Sequence, residues 1–70
     1  ALEGVYERVV TLLEASAVDV GGQRRIPRVL TQAEIARRVG ACREMVHHVL
    51  QGLIQGGYIH KNRAHQMTLM

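Results

Sequence analysis

The sequence predicts a small α+β domain, mainly α: three helices, a short strand before the second helix, and a C-terminal β-hairpin. Three observations predict it. Apolar residues recur at helical spacing in three separate stretches. A Thr-x-x-Glu signature and a lone glycine bracket the middle stretch. Residues 58–70 then hold two short extended segments around a polar turn.

Taken in order, Leu2, Val5, Val9, Leu12, Leu13 and Ser16 repeat at helical spacing and place a first helix over about residues 2–16. "VDVGGQ" breaks it with a glycine pair. "RRIPRVL" is β-branched but holds the only proline, so it is expected to be at most a short edge strand. In "LTQAEI", Thr31 is the N-cap of a second helix and Glu34 completes a capping box, with Leu30 and Ile35 placed as a hydrophobic staple. Ala33, Ile35, Ala36 and Val39 are its apolar positions, and Gly40 stops it by taking the left-handed conformation.

Ala41 and Cys42 leave room only for a tight turn, so a third helix starts at Arg43. Val46, Val49, Leu50 and Leu53 follow the i, i+3, i+4, i+7 rule and form its core stripe, with Met45 and Ile54 at the rim. Gly56-Gly57 closes it, and "YIHK" and "HQMTLM" around "NRA" form the hairpin. Two helices joined by a short glycine turn are a helix-turn-helix, and a hairpin directly after makes it a winged one.

Composition narrows the function. Seventy residues give one domain, 1–70, too small for a deep catalytic cleft. No nucleophile, base and oxyanion site come together in it, so an enzyme is not expected. Two tyrosines without Trp or Phe exclude the aromatic platforms of single-strand binders. One cysteine fits a reducing, cytoplasmic compartment, and no apolar run reaches the roughly 18 residues of a membrane span. Adjacent His47 and His48 diverge on a helix and cannot share an ion; His60 and His65 across the hairpin are only two ligands. No metal or cofactor is therefore expected in this domain. Cys42 is read as a small turn-filling residue.

Charge divides the chain. Residues 1–21 hold Glu3, Glu7, Glu14 and Asp19 against Arg8, a net of −3. Residues 22–70 hold Arg24, Arg25, Arg28, Arg37, Arg38, Arg43, Lys61 and Arg63 against Glu34 and Glu44, a net of +6. A polyanion would be drawn to the later part. On the third helix Glu44, His48, Gln51 and Gln55 form a stripe opposite the core, with Arg43 and His47 on one shoulder. A polar ridge starting at a helix N-terminus is the geometry that enters a major groove. There Arg donates to guanine O6 and N7, and Glu accepts from cytosine N4. Glu44 also suits the positive end of the helix dipole without any DNA role.

"LTQAEIARRVGACREMVHHVLQGLIQGGYI" resembles the DNA-binding domain of the Crp/Fnr family of bacterial transcription regulators. The family shows a Thr-capped "EIA…G" helix, a Ser-Arg-Glu-x-Val opening of the recognition helix, and "L..L…G.I" leading into the wing. "RVVTLLEASA" resembles the helix that begins the same domain. The resemblance implies that Arg43 and Glu44 are the base-reading pair, extended by His47 and His48, and that Thr31 meets a phosphate. Gln32 and Gln51 join the DNA-backbone contacts. By their own chemistry Lys61, Asn62 and Arg63 at the wing tip suit phosphate, though an ordinary polar turn would also hold them, and Arg24, Arg25 and Arg28 are placed to flank the duplex.

Departures are specific. His48 stands where a second base-reading Arg is usual, Cys42 replaces a capping Ser, and Ala33 and Gly52 are blander than the pattern. The resemblance also implies a longer regulator, with an upstream sensory β-barrel and a dimerisation helix outside these residues. Partners then are double-stranded DNA, a second copy in a homodimer spanning half-sites about 34 Å apart, and RNA polymerase. The domain alone is expected to be monomeric or weakly associated. The alternative left open is a winged helix that binds protein and not DNA.

Overall fold

A computed structural model describes residues 2–70 of the chain. The three helices are α1, Leu2–Ser16, α2, Gln32–Val39, and α3, Arg43–Gln55. The strands are β1, Val18–Val20, β2, Gln23–Arg25, β3, Ile59–Lys61, and β4, Met67–Leu69. Val5, Val9 and Leu13 bury one stripe of α1 against α2 and α3. The side chain of Leu2, expected at the head of that stripe, lies outside the described residues. Ser16 Oγ donates to the Leu12 carbonyl at 2.8 Å and satisfies one acceptor of the last turn.

The expected edge strand is in fact part of a hairpin. β1 and β2 pair antiparallel through a two-residue turn, Gly21 at φ 59° and Gly22 at φ 84°, a conformation that favours glycine at both positions. The sheet order is β1-β2-β4-β3, so β2 is an interior strand, held to β4 through Arg24 opposite Leu69 and Arg25 opposite Thr68. Pro27 falls beyond it and removes no ladder bond. The glycine pair that reads as a helix stop is thus a hairpin turn. All six residues of β1 and β2 are exposed, so the short alternation of Val18-Asp19-Val20 marks no core-facing stripe.

Helix ends follow the expected chemistry in part. Thr31 Oγ1 accepts from the Glu34 N–H at 3.1 Å, the first half of the capping box. The second half does not form: the Glu34 carboxylate turns instead to Arg28 and Arg38. Gly40 takes φ 72°, and the amides of Gly40 and Ala41 both donate to the Ala36 carbonyl at 2.9 and 3.0 Å. Gly57, at φ 78°, closes α3 with bonds from Gly57 N to Ile54 O at 3.1 Å and from Tyr58 N to Leu53 O at 2.9 Å, a Schellman motif.

The core is aliphatic throughout. Ile35, Ala36 and Val39 meet Val46, Val49, Leu50 and Leu53 over α1, and Ile26, Leu30, Ile59, Met67 and Leu69 close it from the sheet side. Met45 and Ile54 pack at its rim as expected. No polar or charged side chain is buried among the described residues. The domain is stabilised by apolar burial, and its polar groups are left for the surface.

Candidate nucleic-acid interface

The buried seam of α3 fixes which side chains can face a partner. Val46, Val49, Leu50 and Leu53 are each 3% exposed or less. Arg43, Glu44, His47, His48, Gln51 and Gln55 are all exposed on the remaining surface. Cys42, at φ −84° and ψ 162°, is the N-cap but makes no side-chain cap bond, leaving the first amides of α3 open. Its thiol is free and exposed.

The turn between α2 and α3 sets the two helix N-termini side by side. Gln32 Nε2 lies 3.0 Å from His47 Nδ1, a bond across fifteen residues that links the first turn of α2 to the second turn of α3. Gln32, Arg43, Glu44 and His47 together line one shallow recess. Four expected contact residues are therefore brought together. Thr31, next to Gln32, is exposed at the same helix start; its Oγ1 accepts an amide proton and keeps its own proton to donate. His48 and Gln51 lie further along the exposed face of α3.

The two acids near this surface are placed in opposite ways. Glu34 is held by Arg28 through both oxygens and by Arg38 at 3.4 Å. The bond from Arg28 holds its carboxyl below the usual range, against a smaller opposing effect of burial. Arg28 is raised in turn by the same carboxylate and so does not stand free to flank a duplex. Glu44 makes no ion pair among the described residues. Arg25 bonds Gln23 at 3.0 Å and shares a recess with His60, Asn62 and Thr68 on the outer sheet face. Arg24 stands opposite Leu69, on the other face.

The wing differs in detail from the expected hairpin. Its loop runs over residues 62–66, longer than "NRA", and β4 starts at Met67. Asn62 organises it: Oδ1 accepts from the amides of Ala64 at 2.9 Å and Gln66 at 3.0 Å. His65 takes φ 63° in that loop, whereas His60 stands opposite Thr68, so the two are not cross-strand neighbours. Lys61 is half-buried opposite Met67, and Arg63 is exposed in the loop. Neither shares a bond or the α3 recess with the helix residues. The bonds between Gln32 and His47 and between Arg28 and Glu34 join residues fifteen and six apart, separations that carry no signal in a sequence.

A glycine-turned helix pair, a second helix with an exposed polar ridge, and a hairpin behind it define a winged helix-turn-helix, the DNA-binding domain of transcription regulators. Residues 7–70 match the Crp-like helix-turn-helix domain family, and the chain belongs to that family. Among solved structures it is similar to the reduced (Fe(II)) CO-sensing protein from R. rubrum, with a TM-score of 0.84 and 23% identity over 99% of this chain. It is also similar to reduced CprK in the absence of any ligand, with a TM-score of 0.69 and 20% identity over 94% of this chain. The chain spans about a third of each, 32% and 33% of their lengths. Comparison with curated proteins gives no match. No helix among the described residues is long and apolar enough to cross a membrane.

Proposed function

We propose that the domain binds double-stranded DNA sequence-specifically, as the output part of a longer Crp/Fnr-like regulator acting in the cytoplasm. Arg43, Glu44, His47 and His48 on α3 read base edges in the major groove. Thr31, Gln32, Gln51, Lys61 and Arg63 meet the phosphate backbone. The observation that supports this reading best is the recess where Gln32, Arg43, Glu44 and His47 converge at two helix N-termini. Helix N-termini favour phosphate, and Arg beside an unpaired Glu is a donor–acceptor pair suited to a guanine–cytosine step. In the longer protein two such domains act as a homodimer on half-sites about one helical turn apart, with RNA polymerase as the downstream partner.

Titration with duplex DNA at two salt concentrations, followed by amide chemical shifts, tests the proposal. Affinity falls steeply with salt as phosphate contacts release counterions, and shifts concentrate on residues 31–32, 43–51 and 61–63. Salt-insensitive binding, or shifts centred on α1, would overturn it in favour of a protein-binding winged helix.

A further inference from the structure

We propose that Gln32 fixes His47 as a hydrogen-bond donor toward the groove, so that the pair reads an acceptor on a purine edge. The inference rests on α3 being the reading helix. A neutral imidazole carries one proton, and the nitrogen without it can only accept. Gln32 Nε2 lies 3.0 Å from His47 Nδ1. An amide nitrogen donates and does not accept, so Nδ1 is the acceptor and the ring proton sits on Nε2. That nitrogen is at the outer end of an exposed side chain, pointing away from the backbone of its own helix.

The alternative orientation of the Gln32 amide would reverse these roles and make Nε2 an acceptor. The recess disfavours it. Gln32 and Arg43 line the same recess, and the only carboxylate among its lining residues is Glu44. With Nε2 on His47, the Gln32 amide keeps its acceptor, Oε1, free for the recess that Arg43 also lines. Reversing it would leave a second donor there. Protonation of His47 would not remove the outward donor, because both ring nitrogens then carry hydrogen; Gln32 would meet the new Nδ1–H with its oxygen.

A fixed donor selects bases by a simple rule. In the major groove guanine offers N7 and O6, adenine N7 and thymine O4 as acceptors, whereas cytosine offers the N4 donor. His47 Nε2–H is matched to a purine N7 and opposed to cytosine. Gln32 acts as a positioning residue, and its second amide N–H stays available for a phosphate. The recess then presents donor, acceptor and donor from Arg43, Glu44 and His47.

The test has two readouts. Nitrogen chemical shifts of the neutral His47 ring report which nitrogen carries the proton. The expected result is a proton on Nε2. Selection from randomised duplexes is then run on the parent chain and on His47→Ala, Gln32→Met and Arg43→Ala. His47→Ala lowers preference about tenfold at one base pair, the scale of one lost base contact. Gln32→Met removes the donor that holds Nδ1 as an acceptor, lets the ring carry its proton on either nitrogen, and weakens preference at that same position. Arg43→Ala relaxes a different position. If Arg43→Ala relaxes its position while the other two leave selection unchanged, or the proton sits on Nδ1, the inference fails and the groove reading stands. If none of the three changes selection, the groove reading itself fails and takes the inference with it.

Discussion

Glu34 and Glu44 are the only acids after residue 21, and their environments give them opposite roles. Glu34 is neutralised by Arg28 and Arg38 and orders the approach to α2. Its folded pKa is lowered, so its contribution to stability is present above the ordinary carboxylate value near 4.3 and is lost as pH falls through the folded one. The stability difference between the parent and Glu34→Gln, measured by urea unfolding, accordingly shrinks as pH is lowered below about 4. Glu44 has no such partner among the described residues, so Glu44→Ala costs only about a few tenths of a kcal/mol, the worth of an acid in the first turn of α3, and relaxes preference at one base pair. Arg43→Ala costs about 1–3 kcal/mol at its base, measured as the ratio of affinities for matched and mismatched duplexes. Residue types and helical phase make Arg43, Glu44, His47 and His48 legible as a surface from the sequence. The Gln32–His47 bond and the diversion of Glu34 from its capping box were not legible, because both depend on side chains from different elements.

Among the elements, α2 and α3 differ mainly at their starts. Thr31 caps α2 with a side-chain bond, whereas Cys42 gives α3 none. Cys42→Ser supplies the missing acceptor and is expected to stabilise the domain by about 0.5–1 kcal/mol, read from the urea midpoint. Gly40→Ala meets no atom within 4 Å but must hold φ 72°, so it costs about 1 kcal/mol in the same measurement, from backbone conformation alone. The helices were legible because each buries a stripe whose period shows in the sequence. β1 was not, and β2 only as a short edge strand: three residues each, all exposed, they form through backbone pairing and the conformation of Gly21 and Gly22. The wing was legible as a hairpin, but its turn was not, since Asn62 fixes a loop of five residues through its own side chain.

For the whole molecule, the acidic α1 is bound to the later part of the chain at a specific point. Tyr58, at the entrance to the wing, donates its hydroxyl proton to Glu14 at 2.6 Å across 44 residues. That bond, aided by burial, raises the tyrosine above its ordinary value near 10. A raised folded pKa means that the stabilisation is complete below about pH 10 and disappears as pH climbs through the folded value. Thermal unfolding of the parent therefore loses more between pH 9 and 11, chosen to span about that value, than unfolding of Tyr58→Phe. Equal losses would show that the bond adds nothing. Charge asymmetry was legible in the sequence, but not that one of the α1 acids would serve as an anchor. The sheet order has a consequence for how the domain is made. β4 lies between β2 and β3, which do not pair with each other. Without Met67–Leu69 the β1–β2 hairpin and β3 share no strand pairing. The helices can gather without β4, but the β1–β2 hairpin and the wing become one sheet only when it docks between them, so no pairing links the two until residues 67–69 are in place.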